Sequence, residues 1–97
     1  MGFEYRINAT LNAAQRTSVA QLFEHDPRAH CVKPGGTAWE LRAPGNTGQM
    51  PDCTISLDAD GLELCQYASS HAWQGLEALH HFLTSAGIDF QLLEVDG

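Results

Sequence analysis

Five histidines and three cysteines are the residues of this 97-residue chain best suited to chemistry. His25, His30 and Cys31, with Asp26 beside them, bring nitrogen, sulfur and oxygen donors to one short stretch, the donor set of a zinc-like ion. A structural zinc site pairs its ligands roughly two to four residues apart on each side, and the adjacent pair His30-Cys31 departs from that spacing. These three are therefore expected on the surface of a loop, with no metal and no cofactor held. A second arrangement would use His80 as a general base with Cys65 or Glu63 as its partner, in a pocket between helices and sheet. His80 and His81 are neighbours on one helix and point about 100° apart, so they cannot serve the same site. His80 falls near an apolar stripe, four residues after Leu76 and three before Leu83, which predicts a half-buried ring. Cys53 alternates with Ile55 and Leu57 and is expected as an inert core residue, whereas Cys31 has Arg28 and Lys33 nearby as a surface thiol.

Glycines offer no phosphate cradle. Pro34-Gly35-Gly36 and Gly45-Asn46-Thr47-Gly48 each precede a strand pattern, and anion-binding glycine loops open a helix.

Charge gives the stronger signal. The net charge is −7, and it is divided unevenly along the chain. The first 42 residues hold all five basic residues against four acids, while Ala43 onward holds eight acids and no Lys or Arg. Such a chain repels phosphate backbones, which argues against a nucleic-acid partner. The acids Asp52, Asp58, Asp60 and Glu63, with the loop over 43–52 beside them, are the candidates for contact with a basic protein, and Trp73 is the aromatic candidate. No apolar run approaches the roughly 20 residues of a membrane span. Residues 1–10 carry Glu4 and Arg6 where a signal peptide would be apolar, and the odd cysteine count makes no disulfide framework, so a cytoplasmic protein is expected.

The elements that must position these residues follow from periodicity. Phe3, Tyr5, Ile7 and Ala9 alternate with polar residues as a strand with one wet face. Thr10 or Asn12 offers an N-cap, with Gln15 three positions after Asn12 to close a capping box, ahead of a helix over 13–25, and Pro27 stops it before a loop over 27–36. A second strand is expected over 38–42 and a long mobile hairpin loop over 43–52. Two alternating runs flank Asp60-Gly61, the signature of a two-residue hairpin turn, which would set Leu57 opposite Leu64 and Ser56 opposite Cys65. In that register Cys53 and Cys65 fall on opposite faces and cannot bond to each other. Ser69 or Ser70 is expected to cap a second helix with Ala72, Leu76, Leu79 and Leu83 inward and Gly87 at its end, before a last strand over 88–95.

The order β-α-β-β-β-α-β over residues 1–97 predicts one α+β domain, a two-layer sandwich of ferredoxin-like character with one extra strand and both helices on one face of a mostly antiparallel sheet. A chain this small buries only about 60–70% of its unfolded surface, so a homodimer through a sheet face or edge is the expected assembly. The functional reading is a small acidic protein–protein interaction module, of the inhibitor or immunity type, rather than an enzyme. The alternative is a small enzyme or ligand-binding domain using the His80 and Cys65 pocket.

Overall fold

Period-two alternation of apolar residues, interrupted twice by helical spacing, decides the architecture. The computed structural model describes residues 2–32, 37–68 and 70–95. Along the chain it places β1 (Phe3–Ala9), α1 (Ala13–Glu24), β2 (Ala29–Cys31), β3 (Ala38–Leu41), β4 (Cys53–Asp58), β5 (Gly61–Gln66), α2 (Glu77–Ser85) and β6 (Phe90–Val95). The strands form one sheet in the order β2-β3-β4-β5-β1-β6, with every neighbouring pair antiparallel. Val19 and Phe23 of α1 and Leu79 and Leu83 of α2 share one core with Ile7, Trp39, Leu41, Ile55, Leu62 and Leu64 of the sheet. Full burial of a side chain such as Leu62 or Leu83 stabilises by about 1.5–3 kcal/mol. Both helices therefore cover the same face, and the chain is a two-layer α+β sandwich. No described helix is long and apolar enough to cross a membrane.

The sheet has six strands rather than five. Ala29–Cys31 lies in the stretch expected as loop, yet it pairs with β3, flanked by the bonds Arg42 N–H to Arg28 O and Val32 N–H to Ala38 O, both 3.0 Å. Three residues are too few for a period-two signal to be legible. The connection through α1 thus carries the chain from β1 to the far edge of the sheet, and where one strand beyond four was expected there are two.

Capping chemistry behaves as the residue types require. The Asn12 side chain accepts from Gln15 N–H at 2.8 Å, and Asn12 N–H donates to the Gln15 side chain at 2.9 Å. At the end of α2, Gly87 takes φ +67, and Gly87 N–H and Ile88 N–H return to Thr84 O and Leu83 O, a Schellman closure.

Two local expectations are corrected. The β4–β5 turn is Ala59-Asp60 rather than Asp60-Gly61, pairing Leu57 with Leu62, Ser56 with Glu63 and Thr54 with Cys65. Asp58 Oδ1 accepts from Asp60 N–H at 2.8 Å, which folds the turn one residue early and leaves Gly61 to leave it at φ +134. The change preserves parity, so each side chain keeps its face, and Cys53 and Cys65 do lie on opposite faces. The second helix begins at Glu77, not near Ser70, and Ser69 lies outside the described residues. The buried Gln66 amide donates to Ala72 O at 2.9 Å and Gln74 O at 3.1 Å, drawing those carbonyls away from helical pairing, and Gly75 at φ +77 ends the turn.

Gly61 is the most constrained glycine, because an added Cβ would lie 1.9 Å from Ile7 O on β1. Gly61→Ala is expected to destabilise by about 2–4 kcal/mol, from steric conflict and positive φ together. A urea midpoint close to the parent's would contradict this account of the turn.

Candidate functional site

The helices leave one sheet face uncovered, and alternation decides what it displays. Glu4 and Arg6 of β1, Glu63 and Cys65 of β5, Thr54, Ser56 and Asp58 of β4, and Glu40 of β3 all lie on that side. Arg6 organises them. Its guanidinium grips Asp58 through both oxygens at 2.8 and 3.0 Å, reaches Glu63 at 3.4 Å, and donates through Nε to Asn8 Oδ1 at 3.2 Å. The Arg6 hydrogen bonds hold the Asp58 carboxyl below its ordinary range, helped by backbone N–H donors, and Asp58 in turn raises Arg6. The strands thus present four carboxylates here, of which Asp58 and Glu63 meet Arg6, Glu40 lies 3.9 Å from the Arg42 guanidinium, and Glu4 is exposed. Beside them a groove of about 490 Å³ is lined by Val32, Ala38, Thr54, Ser56, Cys65 and Val95, with Glu4, Arg6 and Glu63 among its walls.

Only part of the expected acidic set gathers here. Asp58 and Glu63 lie side by side on Arg6, and Asp60 stands exposed at the adjoining turn. Asp52 lies at the other end of β4, where its carboxylate accepts from Ala43 N–H at 2.7 Å and Asn46 Nδ2 at 2.8 Å. Rather than projecting freely, the loop over 43–52 is cross-linked by these bonds and by Arg42, which donates to the carbonyls of Gly48, Gln49 and Met50. Trp73 is on the helix side, half-buried, stacked on His80 at 4.4 Å and edge-on to Phe90 at 5.9 Å.

The catalytic and metal candidates do not assemble. His80 is exposed on α2, because Leu79 takes the inward position expected to draw its neighbour down. Cys65 lies across the sheet from it, facing the groove, so base and thiol are separated by a layer of backbone. His25 closes α1 with Nδ1 3.0 Å from Gln21 O, His30 stands opposite Glu40 on the uncovered face, and Cys31 is exposed on the edge strand. Among the described residues no group of three or more His, Cys, Asp or Glu side chains is arranged to hold a metal ion.

A second concavity, about 340 Å³, opens at the end of the sheet between Arg28, Asp52, Cys53, Gln66 and Gln74. Arg28 is fixed there by Asp26 at 2.7 and 3.1 Å and by Gly75 O at 2.8 Å. Its hydrogen bonds lower the Asp26 carboxyl. Burial pushes the Cys53 thiol up to about 12, which removes it as a nucleophile at neutral pH.

No protein-family model, curated protein or solved structure matches this chain. The site must be read from its own residues.

Sequence reasoning missed Arg6 as the hub, and it passed over Glu4 and Glu40. The signal that would have found Arg6 is its cross-strand position opposite Glu63, which needs the β1–β5 pairing as input.

Two outcomes follow from these environments. Asp58 and Asp26 ionise more readily folded than unfolded, so the stability they contribute is present above the ordinary carboxyl value of 3.8 and is lost as pH falls through their lowered folded values. Urea midpoints should drop between neutral pH and about pH 3, and less steeply in Asp58→Asn. A parallel fall in the variant would remove Asp58 from the account. With a maleimide probe, Cys53 should label only at the rate of unfolding, read by peptide mass spectrometry, and rapid labelling of the native protein would show the site to be open.

Proposed function

We propose that this chain is a small, non-enzymatic protein-interaction module that turns its uncovered, carboxylate-rich sheet face toward a basic protein partner, in the manner of an inhibitor or immunity-type protein. The observation that carries the reading is the fate of the cations. Each described arginine is engaged internally: Arg6 by Asp58 and Glu63, Arg16 by Leu11 O at 2.7 Å, Arg28 by Asp26 and Gly75 O, and Arg42 by the loop carbonyls. Glu4, Asp60 and Glu63 meanwhile remain exposed on or beside the uncovered face. An incoming surface therefore meets net negative potential, which accelerates encounter with a cationic partner and repels nucleic acid.

The groove fits the same partner. Val32 and Val95 with Ala38 offer apolar walls to the aliphatic stems of Lys or Arg, while Glu4 and Glu63 stand where the charged heads would emerge. A reducing compartment such as the cytoplasm suits a chain whose Cys53 and Cys65 thiols stay unpaired on opposite sides of the sheet.

The test compares the tagged parent with a Glu4→Gln, Glu40→Gln, Glu63→Gln triple variant as baits, followed by kinetics with the retained protein. A basic protein should be retained by the parent, and its association rate should fall about tenfold or more as salt rises from about 0.05 to about 0.5 M. The triple variant should lose most of that salt dependence. Retention of no basic protein, or a rate indifferent to both salt and substitution, would sink the proposal.

A further inference from the structure

We infer that β6 is a homodimerisation edge, on which a second copy of this chain adds its own β6 antiparallel to extend the sheet across a two-fold axis. The inference is independent of the acidic-face reading and rests on the backbone of the last strand. β6 is the outermost strand on its side, with β1 as its neighbour. Its sequence Phe-Gln-Leu-Leu-Glu-Val contains no proline and no lysine, and its one charge, Glu94, sits next to the last position of the strand, so little in it discourages further pairing. The opposite edge, β2, is only three residues long and follows Pro27. One edge is blunted and the other is left open.

The direction of the open groups follows from the ladder. Ala9 N–H donates to Asp60 O at 3.0 Å, so the odd-numbered residues of β1 turn their backbone groups toward β5 and the even-numbered ones toward β6. Asn8, Arg6 and Glu4 then bond with Gln91, Leu93 and Val95. The N–H and C=O groups of Phe90, Leu92 and Glu94 accordingly point away from the sheet.

These outward groups are self-complementary. A two-fold axis at Leu92 sets Leu92 opposite Leu92 of the second copy and Phe90 opposite Glu94 of the second copy, and each such narrow pair exchanges two N–H···O bonds. The register keeps like charges apart. The two Glu94 carboxylates sit four strand positions from each other, about 14 Å, beyond the screening length of about 8 Å at physiological salt. It also covers apolar surface that the single chain leaves in water, since Leu93 is 39% exposed. On the helix side the exposed His80 ring, stacked on Trp73 and edge-on to Phe90, borders the same edge and widens the contact.

Sedimentation velocity and amide hydrogen exchange test this together. The parent should sediment at twice its 10.6 kDa mass and dissociate on dilution. In the dimer the amides of Phe90, Leu92 and Glu94 should be protected and should lose that protection on dilution, while those of Gln91, Leu93 and Val95 stay protected throughout. Glu94→Pro removes only an outward N–H and should give a folded monomer. Leu93→Lys places two cations diagonally across the axis and should weaken the dimer at least tenfold without altering the backbone. A parent that remains monomeric at millimolar concentration would overturn the inference. So would a dimer that neither substitution weakens, or one in which the even-numbered amides exchange freely.

Discussion

The seating of β1 between β5 and β6 is the constraint on which the other elements depend. It is flanked by β5 and β6, which lie far along the chain, so this side of the sheet closes only when early and late segments meet. Its alternation assigns opposite tasks to adjacent residues: Ile7 is fully buried under the helices, while Arg6 gathers Asp58 and Glu63 on the other side. Sliding β1 by one residue would put a guanidinium in the core and an isoleucine in water, a cost of several kcal/mol that enforces a single register. Gly61 belongs to the same constraint, since its lack of a side chain is what allows β5 to start flush against β1.

Much of the fold was legible because local chemistry and tertiary demand agree. Asn12 with Gln15 and Gly87 act through bonds within a few residues of themselves, so the start of α1 and the end of α2 could be read without knowing what they pack against. The misreadings arose where a distant partner intervened. Ala29–Cys31 becomes a strand only because β3 offers it hydrogen bonds. Residues 71–75 fail to continue α2 because Gln66, reaching from β5, captures the carbonyls of Ala72 and Gln74. The turn at Ala59-Asp60 was displaced by one side-chain bond, from Asp58, that competes with the backbone preference of Asp-Gly.

The candidate site divides along the same line. Its acids were visible as residue types, and the lack of cations after Arg42 was visible as composition, but the grouping was not. Asp52 precedes and Asp58 ends the six-residue strand β4, so nearness in sequence does not make them neighbours in space. Arg6, more than fifty residues from either of its partners, became a neighbour only through the sheet. His80 and Cys65 had the right chemistry for a pair, yet helix layer and open face keep them apart whatever their side chains do.

Arg28 has a consequence that reaches beyond its ion pair. It holds Asp26, just past α1, and Gly75 O, just ahead of α2, so one guanidinium fastens the exit of the first crossover to the entrance of the second. Both helices are thereby anchored at a common corner, and loosening either connection must release the other. The helical layer is tied to itself as well as to the sheet beneath it, which favours its opening as one cooperative unit.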